Sequence, residues 1–189
     1  MQKIESITPG KYYHIYNRGI NSCNLFREQD NYIYFMKLYE KYIDVVANTF
    51  AWVLMPNHFH FLVQIKEENQ TTLSPTRQFS NLFNAYAQAY NKRYNRHGAL
   101  FERPFKRKPV STEIYLKQLI LYINNNPVHH GFCEQPGEYS WSSYNSLISI
   151  KNSKLMRSQV IEWFDDTDNF IYAHHAMVDY TAMDNWLDI

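Results

Sequence analysis

Residues 50–63 read FAWVLMPNHFHFLV. The first part, 50–55, is an apolar run typical of a buried strand, and 58–63 is a second strand-like run. Pro56 and Asn57, two residue types that favour tight turns, separate the runs. The stretch therefore predicts two antiparallel strands joined as a hairpin.

The segments on either side of this hairpin complete an α+β pattern. In chain order the sequence predicts a strand at 12–16, a helix at about 28–46, the hairpin, a helix from Pro75 to about Arg96, a strand at 105–110 and a helix that opens at Ser111-Thr112 and must stop before Pro127. Strand, helix, strand, strand, helix, strand is a ferredoxin-like order. We therefore expect an antiparallel sheet with helices on one face and the third helix added beside it.

The length of 189 residues suits one main domain with its own hydrophobic core. We expect that domain to cover residues 1–145, and a C-terminal extension of short helices to cover residues 146–189. The end of the extension is too apolar for a solvated tail, so we expect it to pack on the domain. Its apolar side chains are Ile161, Trp163, Phe164, Phe170, Ile171, Tyr172 and Trp186.

The net charge of +1 hides a division along the chain. No Lys or Arg follows Arg157, whereas 7 of the 18 acids do: Glu162, Asp165, Asp166, Asp168, Asp179, Asp184 and Asp188. Residues 1–157 therefore hold all 19 basic residues and 11 acids, a net charge of +8. A positive main domain is compatible with a nucleic-acid partner, and the acidic end could cover part of its basic surface and inhibit it.

The densest positive stretch lies between residues 92 and 108. Its basic residues are Lys92, Arg93, Arg96, Arg103, Lys106, Arg107 and Lys108, its one acid is Glu102, and Tyr94, Phe101 and Phe105 are interleaved. Basic side chains mixed with rings suit a nucleic-acid track, since phosphates pair with cations and bases stack on aromatics. A solvated helix end and loop is the simpler alternative.

Other compositional features point to an intracellular setting. Neither an apolar run for a signal peptide nor a stretch of about 20 apolar residues is found, so we expect a cytoplasmic protein without a membrane span. The two cysteines, Cys23 and Cys133, are too few for a disulfide framework and are expected to be reduced.

His58 and His60 lie two residues apart on the second strand of the hairpin. Strand alternation sends both imidazoles to one face and Phe59 and Phe61 to the other. Such a pair suits one metal ion, and the apolar opposite face would hold it rigidly. Paired histidines on a strand are also common as plain polar surface.

Tyr122 and Asn126 lie four residues apart on the predicted third helix, so their side chains leave the same face one turn apart. A nucleophile and a metal ligand could share that face. Tyr122 could equally be a core aromatic beside Leu119 and Ile123. Tyr115, two turns earlier on nearly the same face, competes for the nucleophilic role.

Several stretches of this chain resemble, in the same order, the REP-associated tyrosine transposases. Residues 54–63 are similar to the HUH motif of single-tyrosine transposases, and the other matching stretches are 12–19, 97–103, 122–131 and 139–144. Together they cover roughly residues 10–145. The combination is more specific than any one stretch, and it places the chain nearer this branch than the shorter insertion-sequence transposases.

The resemblance implies an enzyme that cleaves and rejoins DNA. His58, His60 and Asn126 would bind a divalent ion, Mg²⁺ or Mn²⁺, and Tyr122 rather than Tyr115 would attack the phosphate and form a 5′-phosphotyrosine. Relatives carry Glu or Gln as the third ligand, and the shorter, uncharged Asn126 should bind a hard cation less tightly.

The resemblance also implies single-stranded DNA beside a hairpin as the substrate, with the basic stretch 92–108 on its backbone. The general base is left open among His14, His129 and His130. Two other functions are open: a non-cleaving binder of palindromic DNA hairpins, and an RNA-binding protein that uses a ferredoxin-like sheet. A homodimer and a monomer are both compatible with the sequence.

Overall fold

The structure, a computed structural model, describes residues 6–176 together with Tyr180 and Met183. Its elements in chain order are β1 (Tyr12–Arg18), α1 (Gln29–Tyr42), β2 (Ala47–Met55), β3 (His58–Ile65), α2 (Pro75–Arg93), β4 (Lys106–Val110), α3 (Glu113–His129), α4 (Tyr144–Ile148), α5 (Arg157–Trp163) and α6 (Thr167–His175). Short 3-10 turns occur at Ile20–Ser22 and Pro136–Glu138.

The four strands form one antiparallel sheet in the order β2-β3-β1-β4. This order and the βαββαβ succession confirm the ferredoxin-like fold. Pro56 and Asn57 connect β2 to β3, and Met55 pairs with His58 across the turn, as the sequence predicts for a hairpin. The predicted bounds of the strands differ from the observed ones by a few residues at most.

The sheet separates two hydrophobic clusters. Helices α1 and α2 pack on one face, where they enclose Phe59, Phe61 and Val63 of β3. Helix α3 packs on the opposite face against β2 and β3. The alternation of β3 therefore places His58 and His60 under α3, away from the aromatic core beneath α1 and α2.

Helix α3 begins as predicted but ends later. The Thr112 side chain caps it by accepting a hydrogen bond from the Tyr115 amide at 3.2 Å. The prediction that the helix stops before Pro127 is wrong, since α3 continues to His129. Asn126 and Pro127 are both buried, and packing of this turn against the sheet outweighs the hydrogen bond that proline cannot donate. The His130 amide donates to the Asn126 carbonyl and closes the last turn.

The C-terminal helices contribute to the second cluster. Val160 of α5, Phe164 directly after α5 and Phe170 of α6 are buried there with residues of α3. Trp186, which was expected to join them, lies outside the described residues. The division of the chain at residue 145 stays a prediction. No helix in residues 6–176 is long and apolar enough to cross a membrane.

Candidate active site

The candidate site lies on the face of the sheet that α3 covers. In the β1–β3 register Tyr16 pairs with His60 and Arg18 pairs with His58, so these four side chains leave the same face. His14, two residues before Tyr16, also leaves that face and reaches His60 diagonally. Two adjacent central strands thus supply a row of imidazoles and one phenol.

Helix α3 brings Tyr122 and Asn126 to the two histidines. The Asn126 Oδ1 atom lies 3.0 Å from His58 Nε2. The Tyr122 ring meets the His60 ring edge to face, with centroids 5.3 Å apart. The structure therefore brings all four predicted catalytic and metal-binding residues together, and each of them is buried.

In both His58 and His60 the Nδ1 atom has a hydrogen-bond partner that holds the ring. His58 Nδ1 lies 2.7 Å from Asn57 Oδ1, and His60 Nδ1 lies 2.9 Å from His14 Nε2. Each ring therefore presents Nε2 toward α3. Partners that fix the outer nitrogen of a histidine are a common feature of metal sites, because they set the tautomer and the orientation of the ring.

The donor set fits a divalent cation. His60 Nε2 is buried and has no hydrogen-bond partner among the described residues. A neutral His58 carries one N–H, so it cannot donate to the oxygens of both Asn57 and Asn126. With the Nδ1 proton toward Asn57, two lone pairs face each other between His58 Nε2 and Asn126 Oδ1. A cation bound between the two atoms removes the repulsion between their lone pairs. Without a cation, the Asn126 amide must be rotated so that its NH2 group donates to His58 Nε2.

A metal site here would need the side-chain amide of Asn126 as a third ligand beside His58 and His60. No cluster of three or more His, Cys, Asp or Glu side chains with the geometry to hold a metal occurs among residues 6–176, Tyr180 and Met183. Two imidazoles and Asn126 leave further positions for water or substrate oxygens. The protein supplies two nitrogens and one oxygen, so Mg²⁺ or Mn²⁺, which prefer oxygen ligands, would depend on water or phosphate oxygens at the open positions.

Burial keeps the neighbouring imidazoles neutral. It lowers the pKa of His14 to about 3, and the Lys108 charge adds to the effect. The pKa of His60 is also well below its usual value, first because of burial and then because of His14, His58 and His130. Only a neutral imidazole has a lone pair to offer a metal, so these shifts favour ligation at neutral pH.

The other tyrosine and the candidate bases lie around this centre. Tyr115 is half-buried, and burial, with a smaller effect of Tyr16, raises its pKa. The His130 ring is exposed and lies 5.3 Å from that of His58, while the His129 ring lies 5.8 Å from that of Tyr180. Asn57 and His14 were not recognised as histidine partners from the sequence.

A cleft lies beside the two histidines, and its empty space of about 210 Å³ includes open solvent. Its lining residues are Tyr16, Asn17, Arg18, His58, His60, Glu102 and Lys106. Arg18 Nε lies 3.7 Å from Glu102 Oε1, and Lys106 Nζ lies 5.9 Å from the centre of the Tyr16 ring. The cleft is narrow and has cations at its wall.

The seven basic residues of the stretch 92–108 do not form one track. Arg93 forms ion pairs with Glu28 at 2.8 Å and with Asp30 at 3.1 Å, which tie α2 to the start of α1. Arg96 donates to the Asn91 side chain and the Ala99 carbonyl and fixes its own loop.

The β4 strand divides the remaining cations by face. Lys106 pairs with Tyr16 and Lys108 with His14, so both lysines lie on the face of the site. Arg107 leaves the opposite face, with its guanidinium 5.0 Å from the centre of the Phe105 ring. Lys92 and Arg103 are exposed.

No protein-family model and no curated protein sequence matches the chain. Among solved structures, a REP-associated tyrosine transposase bound to a REP hairpin matches with a TM-score of 0.61 and 17% identity. The match covers 78% of this chain and 86% of that one. The chain has the fold of this transposase. The resemblance carried by the sequence motifs is thus confirmed at the level of the fold.

Proposed function

We propose that this protein is a divalent-metal-dependent enzyme that cuts and rejoins single-stranded DNA beside a hairpin, with Tyr122 as the nucleophile. The observation that carries the proposal is the meeting of the Tyr122 ring, His60 Nε2 and the His58–Asn126 pair in one buried site. The fold shared with a hairpin-bound transposase supports DNA as the partner.

In the proposed reaction the phenol of Tyr122 gives its proton to a base, and its oxygen attacks the scissile phosphorus and forms a new P–O bond. The bond from phosphorus to the 3′ oxygen breaks, and that oxygen takes up a proton to become a 3′-hydroxyl. The product is a 5′-phosphotyrosine. Because the linkage keeps the phosphodiester energy, a second 3′-hydroxyl can reverse the step and join new DNA without a nucleotide cofactor.

His58, His60 and Asn126 are the residues that would hold the ion. When bound, Mg²⁺ or Mn²⁺ would neutralise phosphate charge and orient the phosphate for attack. Asn57 and His14 would keep the two imidazoles in position.

Of the three candidate bases, His14 is the weakest. Its Nε2 is engaged by His60 and its pKa of about 3 makes it a poor proton acceptor near neutral pH. His129 and His130, at the C-terminal end of α3, are exposed and remain the candidates.

Lys106 and Lys108 are the cations we propose for the DNA backbone nearest the site, since they share its face of the sheet. Lys92, Arg103 and Arg107 would contact more distant phosphates. Arg93 and Arg96 already tie the fold together, and their contribution should be smaller.

A non-cleaving binder of palindromic DNA hairpins is the second candidate function. One observation favours it: the Tyr122 side chain is fully buried and Tyr180 packs against it. RNA binding through the sheet loses support, because α1 and α2 pack on one face of its central strands and α3 packs on the other.

The proposal is tested by incubating the protein with a labelled oligonucleotide that carries a hairpin beside a single-stranded segment, in Mn²⁺. A covalent protein–DNA adduct on a denaturing gel is expected for the wild type and for Tyr115→Phe, and none for Tyr122→Phe. Binding without any adduct in all three proteins would favour the second candidate. If the adduct is lost in Tyr115→Phe and kept in Tyr122→Phe, the nucleophile is Tyr115.

A further inference from the structure

His14 lies at the centre of a stack of rings on β1 and β3. Its ring centroid is 4.7 Å from that of Tyr16 and 5.0 Å from that of His60, and the side chain is fully buried. Its Nε2 atom is the partner of His60 Nδ1 at 2.9 Å. Two neutral imidazoles therefore share one hydrogen bond inside the protein.

The second nitrogen of each ring is buried, and it has no hydrogen-bond partner in the part of the chain that the structure describes. Neither His14 Nδ1 nor His60 Nε2 has a hydrogen bond to any described residue. An unpaired polar atom in a core is destabilising, and an apolar ring at position 14 would avoid that cost. Stability alone therefore does not account for an imidazole here.

The shared hydrogen bond allows two tautomeric arrangements. If His60 Nδ1–H donates to His14 Nε2, His60 Nε2 keeps a lone pair directed toward α3. If His14 Nε2–H donates instead, His60 carries its proton on Nε2, and that nitrogen cannot bind a cation. The direction of one hydrogen bond thus decides whether His60 is a ligand.

We propose that His14 is a positioning residue, which accepts the hydrogen bond of His60 Nδ1–H and so presents His60 Nε2 to the divalent ion. This role rests on the proposed function, since it assumes that His60 is a ligand. Asn57 has the corresponding contact with the other proposed ligand, since its Oδ1 lies beside Nδ1 of His58. Loss of such a partner commonly weakens metal binding by about 10–100-fold.

The wild-type protein provides the first test without any metal or substrate. Two-bond ¹⁵N–¹H couplings of imidazole-labelled, metal-free protein report which nitrogen of each ring holds the proton. The proposal expects His60 protonated on Nδ1 and bare on Nε2, with His14 protonated on Nδ1. A His60 ring protonated on Nε2 would overturn it.

Two variants provide the second test. His14→Phe keeps a stacked ring but offers no acceptor, and His14→Gln places an amide oxygen about where Nε2 lies. Titration of Mn²⁺, followed by electron paramagnetic resonance, should give about 10–100-fold weaker binding for His14→Phe and recovery of most of that loss for His14→Gln. His174→Phe, which removes another buried imidazole, is the matched control and should bind Mn²⁺ as the wild type does.

The outcomes separate the two proposals. If the wild type binds no Mn²⁺, both the metal site and the role of His14 are overturned. If the wild type binds and His14→Phe binds equally well, only the role of His14 is overturned. Equal losses in His14→Phe and His14→Gln would also count against it, and the tautomer measurement decides the matter should His14→Phe fail to fold.

Discussion

The ring of Tyr180 lies edge-on against the ring of Tyr122, with their centroids 5.6 Å apart. The Tyr180 hydroxyl accepts a hydrogen bond from Asn125 Nδ2 at 3.2 Å, which holds it on α3. Tyr122 has no exposed surface in this arrangement. If Tyr122 attacks DNA as proposed, some of the side chains that bury it must move first, and the Tyr180 ring is one of those in contact with it.

We predict that Tyr180→Ala forms the covalent DNA adduct faster than the wild type. A chain truncated after Ala176 should behave in the same way, because it keeps the buried residues of α5 and α6. Removal of everything from Ser158 onward would also delete Val160, Phe164 and Phe170 from the core. Initial rates of adduct formation at low salt measure the effect, with Tyr172→Ala at an exposed position as the control.

The acidic side chains of the extension add a salt dependence to this prediction. Glu162, Asp165, Asp166 and Asp168 form no ion pair with a Lys or Arg in the described part of the chain, while Asp179, Asp184 and Asp188 lie outside the described residues. Truncation after Ala176 removes Asp179, Asp184 and Asp188, so if these three acids compete with DNA, the advantage of the truncated chain should shrink as salt screens the charges. Equal or lower activity of this folded truncation at low salt would show that residues 177–189 do not inhibit the protein.

We predict that the third ligand limits metal affinity. Asn126→Asp adds a charged oxygen beside His58 and should tighten Mn²⁺ binding by about tenfold or more, because ligand charge raises the affinity for hard cations. Asn126→Ala should weaken it. Calorimetric titration measures both, and the rise in melting temperature on addition of Mn²⁺ provides a second readout that chelation should reverse. Unchanged affinity in both variants would remove Asn126 from the site.

Local patterns predicted the parts of this site that depend on one element. The alternation of 58–63 placed His58 and His60 on one face, and helix periodicity placed Tyr122 and Asn126 one turn apart. Contacts between distant elements could not be read in this way. The contact of His14 with His60 depends on the register between β1 and β3. The contact of Tyr180 with Tyr122 joins the C-terminal extension to α3. The prediction that α3 stops before Pro127 was wrong because packing of the last turn against the sheet outweighs the tendency of proline to end a helix.

We predict that Lys106→Ala and Lys108→Ala each flatten the salt dependence of DNA binding. For single strands, each lost phosphate contact should change the slope of log K against log salt by about 0.7. Arg93→Ala is the control, because Arg93 already pairs with Glu28 and Asp30 and should change the slope little. Fluorescence anisotropy across a salt series measures the slopes.

The broader variant tests the location of the DNA. Arg103, Lys106 and Arg107 replaced together by Ala should lower the slope further than either single lysine change. An unchanged slope in this triple variant would mean that the DNA lies on another surface.

His174 supports a prediction about pH and stability. Its Nδ1 donates to the Phe170 carbonyl at 2.7 Å, and its Nε2 accepts from Asn124 Nδ2 at 3.2 Å, so the ring is neutral. Asn124 Oδ1 in turn accepts from Ser143 Oγ at 2.7 Å. This network joins α6 to α3. Protonation of His174 would set an N–H against the Asn124 amide protons and break the link.

Burial, followed by a smaller effect of the neighbouring His175, lowers the pKa of His174 to about 4, while the Phe170 carbonyl opposes the shift. The unfolded chain then binds more protons than the folded one between about pH 6.5 and pH 4. Stability from this group is complete above pH 6.5, and the free energy of unfolding should fall on acidification through that window, by at most about 1.4 kcal/mol per pH unit. The facing Tyr144, Phe164 and Phe170 carry no charge there.

Urea unfolding at a series of pH values, with His174→Gln as the comparison, measures this contribution. His14 and His60 also have lowered pKa values and destabilise both proteins on acidification, so the difference between the two curves isolates His174. We expect the free energy of unfolding of the wild type to fall more steeply than that of His174→Gln between pH 6.5 and pH 4. Only in the wild type does unfolding expose a histidine at this position, which then takes up a proton. Parallel curves would show that the link between α6 and α3 does not depend on a neutral His174.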